Sequence, residues 1–468
     1  MDISAPLAAL SAGLTDLRGA QPVGRIARIG DGALTIGGLG AHARLGAEIV
    51  LEVQGDAPLR AEIVAIDGTE IRAVPLGVLD GLGPGAAATL AAPAGLEVCD
   101  GWLGRVIDPL GRPLDGRPLP RGATRPVDAP PPPPASRRAL GPRCATGYPV
   151  LDTMLPLAAG QRIGLFAGAG VGKSTLLGGL VRRTACDVAV VALLGERGRE
   201  VGEMVRHVLG PAGMARTVVV AATADRPAGL RRRAAPAAMA VAEHFRDRGR
   251  RVLLVCDSLT RFAEAHREIA AAGGEALALR GHPSSLVPRL SALVERAGPG
   301  AAGQGDITAV FTVLAAGSDM EEPVADILRG QLDGHVVLSR EIAEAGRYPA
   351  VDVLRSASRS LPAAASAAEN ALLAETRAIL ATQARNAMMV TSGLYVRGSD
   401  PDLDRAIAVA PRIEALFATD EATTPEAAFA ALAGLLGRAP PDPPSDPPPD
   451  PPNDRPDAAN ADVDVADR

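Results

Sequence analysis

The hydrophobic pattern changes character along the chain. Over residues 1–20, Leu7, Leu10, Leu14 and Leu17 recur at helical spacing, one face of a short helix with Pro6 in its first turn. Residues 21–95 carry short alternating runs at 23–29, 33–36, 47–53, 61–66 and 70–74, punctuated by Gly, Asp and Pro. Closely spaced short strands of this kind predict a small β-barrel. Residues 96–160 are turn-rich, with a run of proline from Pro130 to Pro134 that reads as a stiff strap. Further on, the runs 188–194, 217–222, 252–256 and 307–314 are continuously apolar, the pattern of parallel strands covered on both faces. Residues 363–437 are rich in Ala and Leu at helical spacing. Asp400-Pro401 and Thr424-Pro425 read there as N-cap and first-turn pairs, and Gly437 as a stop. The last stretch is Pro, Asp and Ala with no apolar period, which predicts a disordered tail. The resulting division is a helical arm (1–20), a β-barrel (21–95), an α/β core (96–360), a helical domain (361–438) and the tail (439–468).

Inside the α/β core, residues 163–166 read as the end of a buried strand and 175–181 as the start of a helix. Between them runs Gly168-Ala169-Gly170-Val171-Gly172-Lys173-Ser174-Thr175, the pattern of a phosphate-binding loop. Its glycines let successive N–H groups turn inward, and the helix N-terminus adds its positive end. Lys173 would reach the β- and γ-phosphates and the Ser174 hydroxyl would ligate Mg²⁺. The first glycine of the pattern is replaced by Ala167, a small residue. Among 48 Lys and Arg residues, Lys173 is the only lysine. The compact ammonium is therefore reserved for the place where a point charge on phosphate is needed.

Two carboxylates complete the constellation. Asp257 ends the run 252–256, where an acid at the tip of a buried strand holds Mg²⁺ beside a phosphate loop. Glu196 follows the run 188–194, at the sheet edge where ligands sit. It could polarise an attacking water; the plainer alternative is a charged loop satisfied by its own arginines.

Composition narrows the class. The net charge of -6 is carried entirely by the eight Asp and two Arg of residues 439–468. The body is neutral and aromatics are 2%, which argues against nucleic-acid binding. The four cysteines, Cys99, Cys144, Cys186 and Cys256, have no metal-ligand spacing and read as reduced cytosolic thiols. No run approaches a membrane span, and the N-terminus lacks the pattern of a signal peptide.

The stretches 195–200 (Gly-Glu-Arg-Gly-Arg-Glu), 257–262 (Asp-Ser-Leu-Thr-Arg-Phe) and 348–359 (Tyr-Pro-Ala-Val-Asp-Val-Leu-Arg-Ser-Ala-Ser-Arg) resemble the hexameric ATPases of the rotary synthase α and β subunits. Stretches 333–340 and 398–407 resemble, within that family, the flagellum-specific, type III protein-export branch. The resemblance covers residues 21 to about 437. It implies a RecA-like P-loop core between a β-barrel and a helical domain, hydrolysing ATP with Mg²⁺ in a homohexamer. It makes Glu196 the catalytic carboxylate and Arg197 and Arg261 its electrostatic supports. Gly168, Gly170, Val171, Gly172, Lys173, Ser174 and Thr175 become the nucleotide cradle, with Ser174 and Asp257 on the metal. Tyr348 would pack on the adenine, and Arg359 would be the arginine finger inserted into a neighbour's site. Implied partners are a stator-like regulator on the N-terminal arm, a coiled-coil stalk in the pore, export-gate membrane proteins, and chaperones with their substrates. The implied place is cytoplasmic, peripheral at the inner membrane. One departure is Arg280-Gly-His-Pro-Ser-Ser285, where the family has Gly-Tyr/Phe-Pro-Pro-Ser in a loop near the pore. Alternatives are an injectisome export ATPase, a rotary synthase catalytic subunit, a non-catalytic α-type subunit, which Glu196 argues against, and, remotely, a transcription-termination helicase.

Overall fold

The computed structural model describes residues 22–53, 57–92, 95–278, 281–315 and 322–444. The helix expected over 1–20 and residues 445–468 of the expected tail lie outside them.

The barrel runs through β1 (Val23–Gly30), β2 (Ala33–Gly37), β3 (Glu48–Leu51), β4 (Leu59–Asp67), β5 (Glu70–Pro75) and β6 (Ala87–Leu90), closed in the order β1-β2-β5-β4-β3-β6. β6 was not anticipated. Its sequence, Ala-Ala-Thr-Leu, alternates too weakly to announce a strand, yet it pairs with both β1 and β3 and so closes the cylinder. Inward residues Ile26, Leu34, Ile36, Ile49, Leu51, Ile63 and Ile71 fill it.

The core sheet contains β7 (Val106–Ile107), β8 (Arg162–Ala167), β9 (Val188–Glu196), β10 (Thr217–Thr223), β11 (Val252–Asp257), β12 (Asp306–Leu314), β13 (Gly334–Leu338) and β14 (Ala357–Ser358). Its order is β14-β13-β8-β12-β11-β9-β10-β7. Strands β13 through β7 in that order run parallel, and β14 returns antiparallel along β13. The unbroken apolar runs are explained by burial on both faces. Val188, Val190, Ala192 and Leu194 pack into one core with helix α2 (Ala228–Arg246). Ala189, Val191 and Leu193 pack into the other with α1 (Lys173–Arg183). The third helix on the sheet is α3 (Leu259–Gly273).

Buried ion pairs fasten the barrel to the core. Glu48 of β3 accepts from Arg233 of α2 at 2.6 Å and from Arg60 at 2.8 Å. Glu62 of β4 pairs with Arg232 at 2.5 Å. In the loop that departs from the family pattern, Glu275 accepts from the Ser285 hydroxyl at 2.6 Å and from the Ser284 hydroxyl at 3.1 Å.

The helical domain contains α4 (Ala367–Thr391), α5 (Pro401–Phe417) and α6 (Pro425–Leu435). Ser366 and Glu369 form a capping box at the start of α4. Asp400 caps α5 and Thr424 caps α6, each followed by proline in the first turn. Residues 439–444, assigned from composition to a disordered tail, lie against this domain: Ser366 donates to the Asp442 carbonyl at 2.8 Å.

Candidate functional site

The sheet order sets the site. The C-terminal ends of β8, β12, β11 and β9 lie side by side on one edge, where open α/β sheets bind ligands. β8 leads into the phosphate loop. Gly170 and Gly172 have φ of 76° and 84°, which only glycine adopts without strain. Gly172 precedes α1, so the first N–H groups of that helix, beginning at Lys173, open onto the loop. Ala167 is the last residue of β8, buried and paired with Leu314 and Leu338. A methyl is accommodated there, so the departure from the pattern leaves the loop unchanged. Val171 is buried beneath the loop, whereas Ser174 and Thr175 are exposed at the start of α1.

β11 brings Asp257 to the loop. Lys173 Nζ lies 2.5 Å from Asp257 Oδ1 and 3.9 Å from Glu196 Oε1. The Thr312 hydroxyl, on the intervening strand β12, donates to Asp257 Oδ1 at 2.7 Å. Thr312 was not anticipated, because a threonine in the middle of an apolar run carries no signal until the strand order is known. Burial pushes the Glu196 carboxyl up to about 7, with help from a hydrogen bond shared with Glu200 and from the Asp257 charge, against the Lys173 charge. A carboxyl held near neutrality suits proton abstraction from water at physiological pH.

The remaining predicted residues fall in three places. Arg261, whose backbone N–H is capped by Ser258, folds over Gly195, where a Cβ would meet its side chain at 3.5 Å. Its guanidinium pairs with Glu264 at 2.8 Å. Tyr348 stands over the phosphate loop: a Cβ on Gly172 would come within 3.1 Å of its ring. Arg197 is not brought into the cluster; its side chain is 79% exposed, 3.9 Å from Glu200. Nor is Arg359. It follows β14, and its N–H donates to the Asp333 carbonyl, itself beside Arg162 at the first residue of β8. The phosphate loop leaves the other end of that six-residue strand, about 20 Å away.

These features define the class. The model of the ATP synthase alpha/beta family, nucleotide-binding domain, matches residues 147–358, and that of the T3SS EscN ATPase C-terminal domain matches 365–434. A flagellum-specific ATP synthase of Caulobacter vibrioides is 41% identical over 426 residues, spanning 89% of this chain and 95% of its own. A type 3 secretion system ATPase of Xanthomonas euvesicatoria is 45% identical over 363 residues, 76% of this chain and 80% of its own. The assembled ATPase EscN of the enteropathogenic E. coli type III secretion system superposes with a TM-score of 0.83 at 35% identity, covering 88% of this chain and 100% of that one. The same ATPase in complex with its central stalk EscO superposes at 0.80. The chain belongs to the flagellum-specific and type III secretion ATPases of the ATP synthase alpha/beta family.

Proposed function

We propose that this chain is the ATP-hydrolysing subunit of a homohexamer that energises type III export of flagellar proteins. The observation that carries the chemistry is the convergence of Lys173, Asp257 and Glu196 at the end of three parallel strands, with the Glu196 carboxyl raised toward neutrality. The loop amides and Lys173 hold the phosphates, and Tyr348, standing over Gly172, offers a flat face to the adenine. Glu196 takes the proton of the attacking water. Arg261, over Gly195, supports the charge beside it.

The Ser174 hydroxyl and the Asp257 carboxylate are hard oxygen donors flanking Lys173, a set that fits Mg²⁺. The cation supplies charge neutralisation on the phosphate oxygens. Arg197, exposed at the surface, supports the site only after its side chain swings inward. Arg359, at the far end of β8, serves a neighbour's phosphates rather than its own, which makes the active unit the ring. The flagellar reading is favoured over the injectisome one by how much of this chain the relatives match: 426 residues, 89% of the chain, at 41% identity in the flagellar relative, against 363 residues, 76% of the chain, in the Xanthomonas secretion ATPase.

Partner assignments follow the same reading. A central stalk occupies the pore. A stator-like regulator takes the N-terminal arm, and export-gate proteins and chaperones meet the ring at the cytoplasmic face of the inner membrane. Among the described residues no helix is long and apolar enough to cross a membrane. The test is genetic: cells whose only copy carries Glu196→Gln are expected to hold normal levels of the protein and no flagellar filaments. Filamented, motile cells would overturn the reading.

A further inference from the structure

Arg261 reaches the site from a position that its own helix sets. β11 ends at Asp257, and Ser258 caps α3 by accepting from the Arg261 N–H at 3.3 Å. Arg261 thus lies in the first turn of α3, at the ligand-binding edge of the sheet. Glu264 follows three residues on, along the same face of the helix. The arginine stem rests against Gly195. The guanidinium makes one hydrogen bond among the described residues, from Nη1 to Glu264 Oε2 at 2.8 Å. Its Nε is buried and has no partner among them.

Three carboxylates face this cation. The charges of Glu264, Glu196 and Asp257 all favour the charged guanidinium, yet of the three only Glu264 lies within ion-pair distance. Asp257 is held by Lys173 at 2.5 Å and by the Thr312 hydroxyl. Glu196 has Lys173 no nearer than 3.9 Å. It is therefore the less neutralised of the two, and it directly follows the glycine on which the arginine lies. The Glu264 charge also reaches His282, in the hairpin 277–283, but burial holds that imidazole below its usual range. At neutral pH it offers Glu264 no competing cation.

We propose that Glu264 is the positioning residue of the site: it anchors the Arg261 guanidinium beside Glu196 and keeps it from closing onto that carboxylate. The consequence for catalysis rests on the reading of Arg261 as the support beside Glu196. A guanidinium closed onto Glu196 would occupy the oxygens that take the proton of the attacking water. One closed onto Asp257 would exclude the cation there. Anchored to the next turn of its own helix, Arg261 keeps its positive charge at the site without taking either carboxylate. An ion pair with side chains 42% and 33% exposed adds little to stability. What it contributes is orientation, which turnover feels and unfolding does not.

The experiment is steady-state ATPase kinetics with thermal unfolding, on assembled protein, for the parent, Glu264→Leu, Glu264→Gln, Arg261→Met and Arg261→Met/Glu264→Leu. Leucine is a strong helix former, so Glu264→Leu keeps α3 intact. It is expected to lower kcat about threefold, the size of one exposed ion pair, with the ATP KM and the Tm of the parent. Glu264→Gln, whose amide oxygen still accepts from the guanidinium, should recover most of that loss. In the residual turnover of Arg261→Met, adding Glu264→Leu should change nothing, because the group it positions is gone. Parental kcat in Glu264→Leu alongside an impaired Arg261→Met overturns the positioning and leaves the role of Arg261 standing. A threefold fall that persists in the Arg261→Met background overturns it too, since Glu264 then acts through something other than Arg261. Parental turnover in Arg261→Met overturns the reading of Arg261 itself, and the positioning with it.

Discussion

The Lys173 ammonium and the Asp257 carboxylate are in contact at 2.5 Å, with side chains 13% and 3% exposed. Each neutralises the other where water hardly reaches. Asp257 is thus occupied by Lys173 until a phosphate offers the ammonium a better partner. Binding of nucleotide and availability of the carboxylate to a cation are coupled through one side chain.

Lys173→Ala is expected to abolish turnover and, by leaving Asp257 to the Thr312 hydroxyl alone, to cost about 3 kcal/mol of unfolding free energy. The double variant Lys173→Ala/Asp257→Asn should recover most of that stability and none of the activity. Urea unfolding of the parent, of Lys173→Ala and Asp257→Asn singly, and of the double variant measures it; a double variant as unstable as the sum of the single ones contradicts the pairing.

Glu196 predicts a pH dependence. Its carboxyl is raised in the fold, so the native state binds more protons than the unfolded one between the ordinary carboxylate range and about pH 7. Stability held by the protonated form is complete at low pH and is lost as pH rises through the folded value. Glu196→Gln should therefore be inactive, and more stable than the parent at pH 8, with the difference shrinking as pH falls below about 7 and gone by about pH 4. In the parent, kcat/KM should fall below about pH 7. Glu200→Gln, which removes the negative charge that raises Glu196 and offers an amide donor to its ionised form, should shift that fall to lower pH. An unmoved acidic limb would mean that Glu196 is not the group being titrated.

Arg233 ties the two domains through Glu48, at 2.6 Å with side chains 9% and 8% exposed. Arg233→Met leaves Glu48 with the half-exposed Arg60 alone. The expected loss is about 3 kcal/mol of stability, read by thermal unfolding at neutral pH, with the nucleotide KM unchanged. A Tm equal to the parent's would show that the barrel is held by its apolar contacts instead.

The parts of the site carried by continuous sequence were legible. The loop from Gly168 to Thr175 is a local pattern with a local cause, and acids at strand tips announced Asp257 and Glu196. The runs flanking them also disclosed a sheet buried on both faces. What could not be read were relationships set by strand order. Thr312 supports Asp257 because β12 lies between β8 and β11, which no local periodicity encodes. Arg359 lies at the far end of β8 from Lys173 because β14 folds back along β13, and only the family resemblance, not the residues themselves, set it apart from its own loop. Arg197 was set beside Glu196 by the family resemblance and not by any pattern in the residues themselves; in the single subunit its side chain lies in solvent. Strand β6 and the docking of 439–444 were missed for a common reason: short segments lacking large apolar residues carry little signal.

The central claim is that Lys173, Glu196 and Asp257 of one subunit work with Arg359 of the next. A finger of this kind contributes roughly 10³–10⁵ in rate. The decisive measurement is ATPase rate against protein concentration for Lys173→Ala, for Arg359→Ala, and for their mixture after co-assembly. Each variant alone should be nearly inactive, Arg359→Ala while still binding nucleotide. The mixture should regain turnover at interfaces that pair an intact loop with an intact finger. An inactive mixture despite proven co-assembly, or a parental specific activity that stays flat down to monomer concentrations, would contradict it.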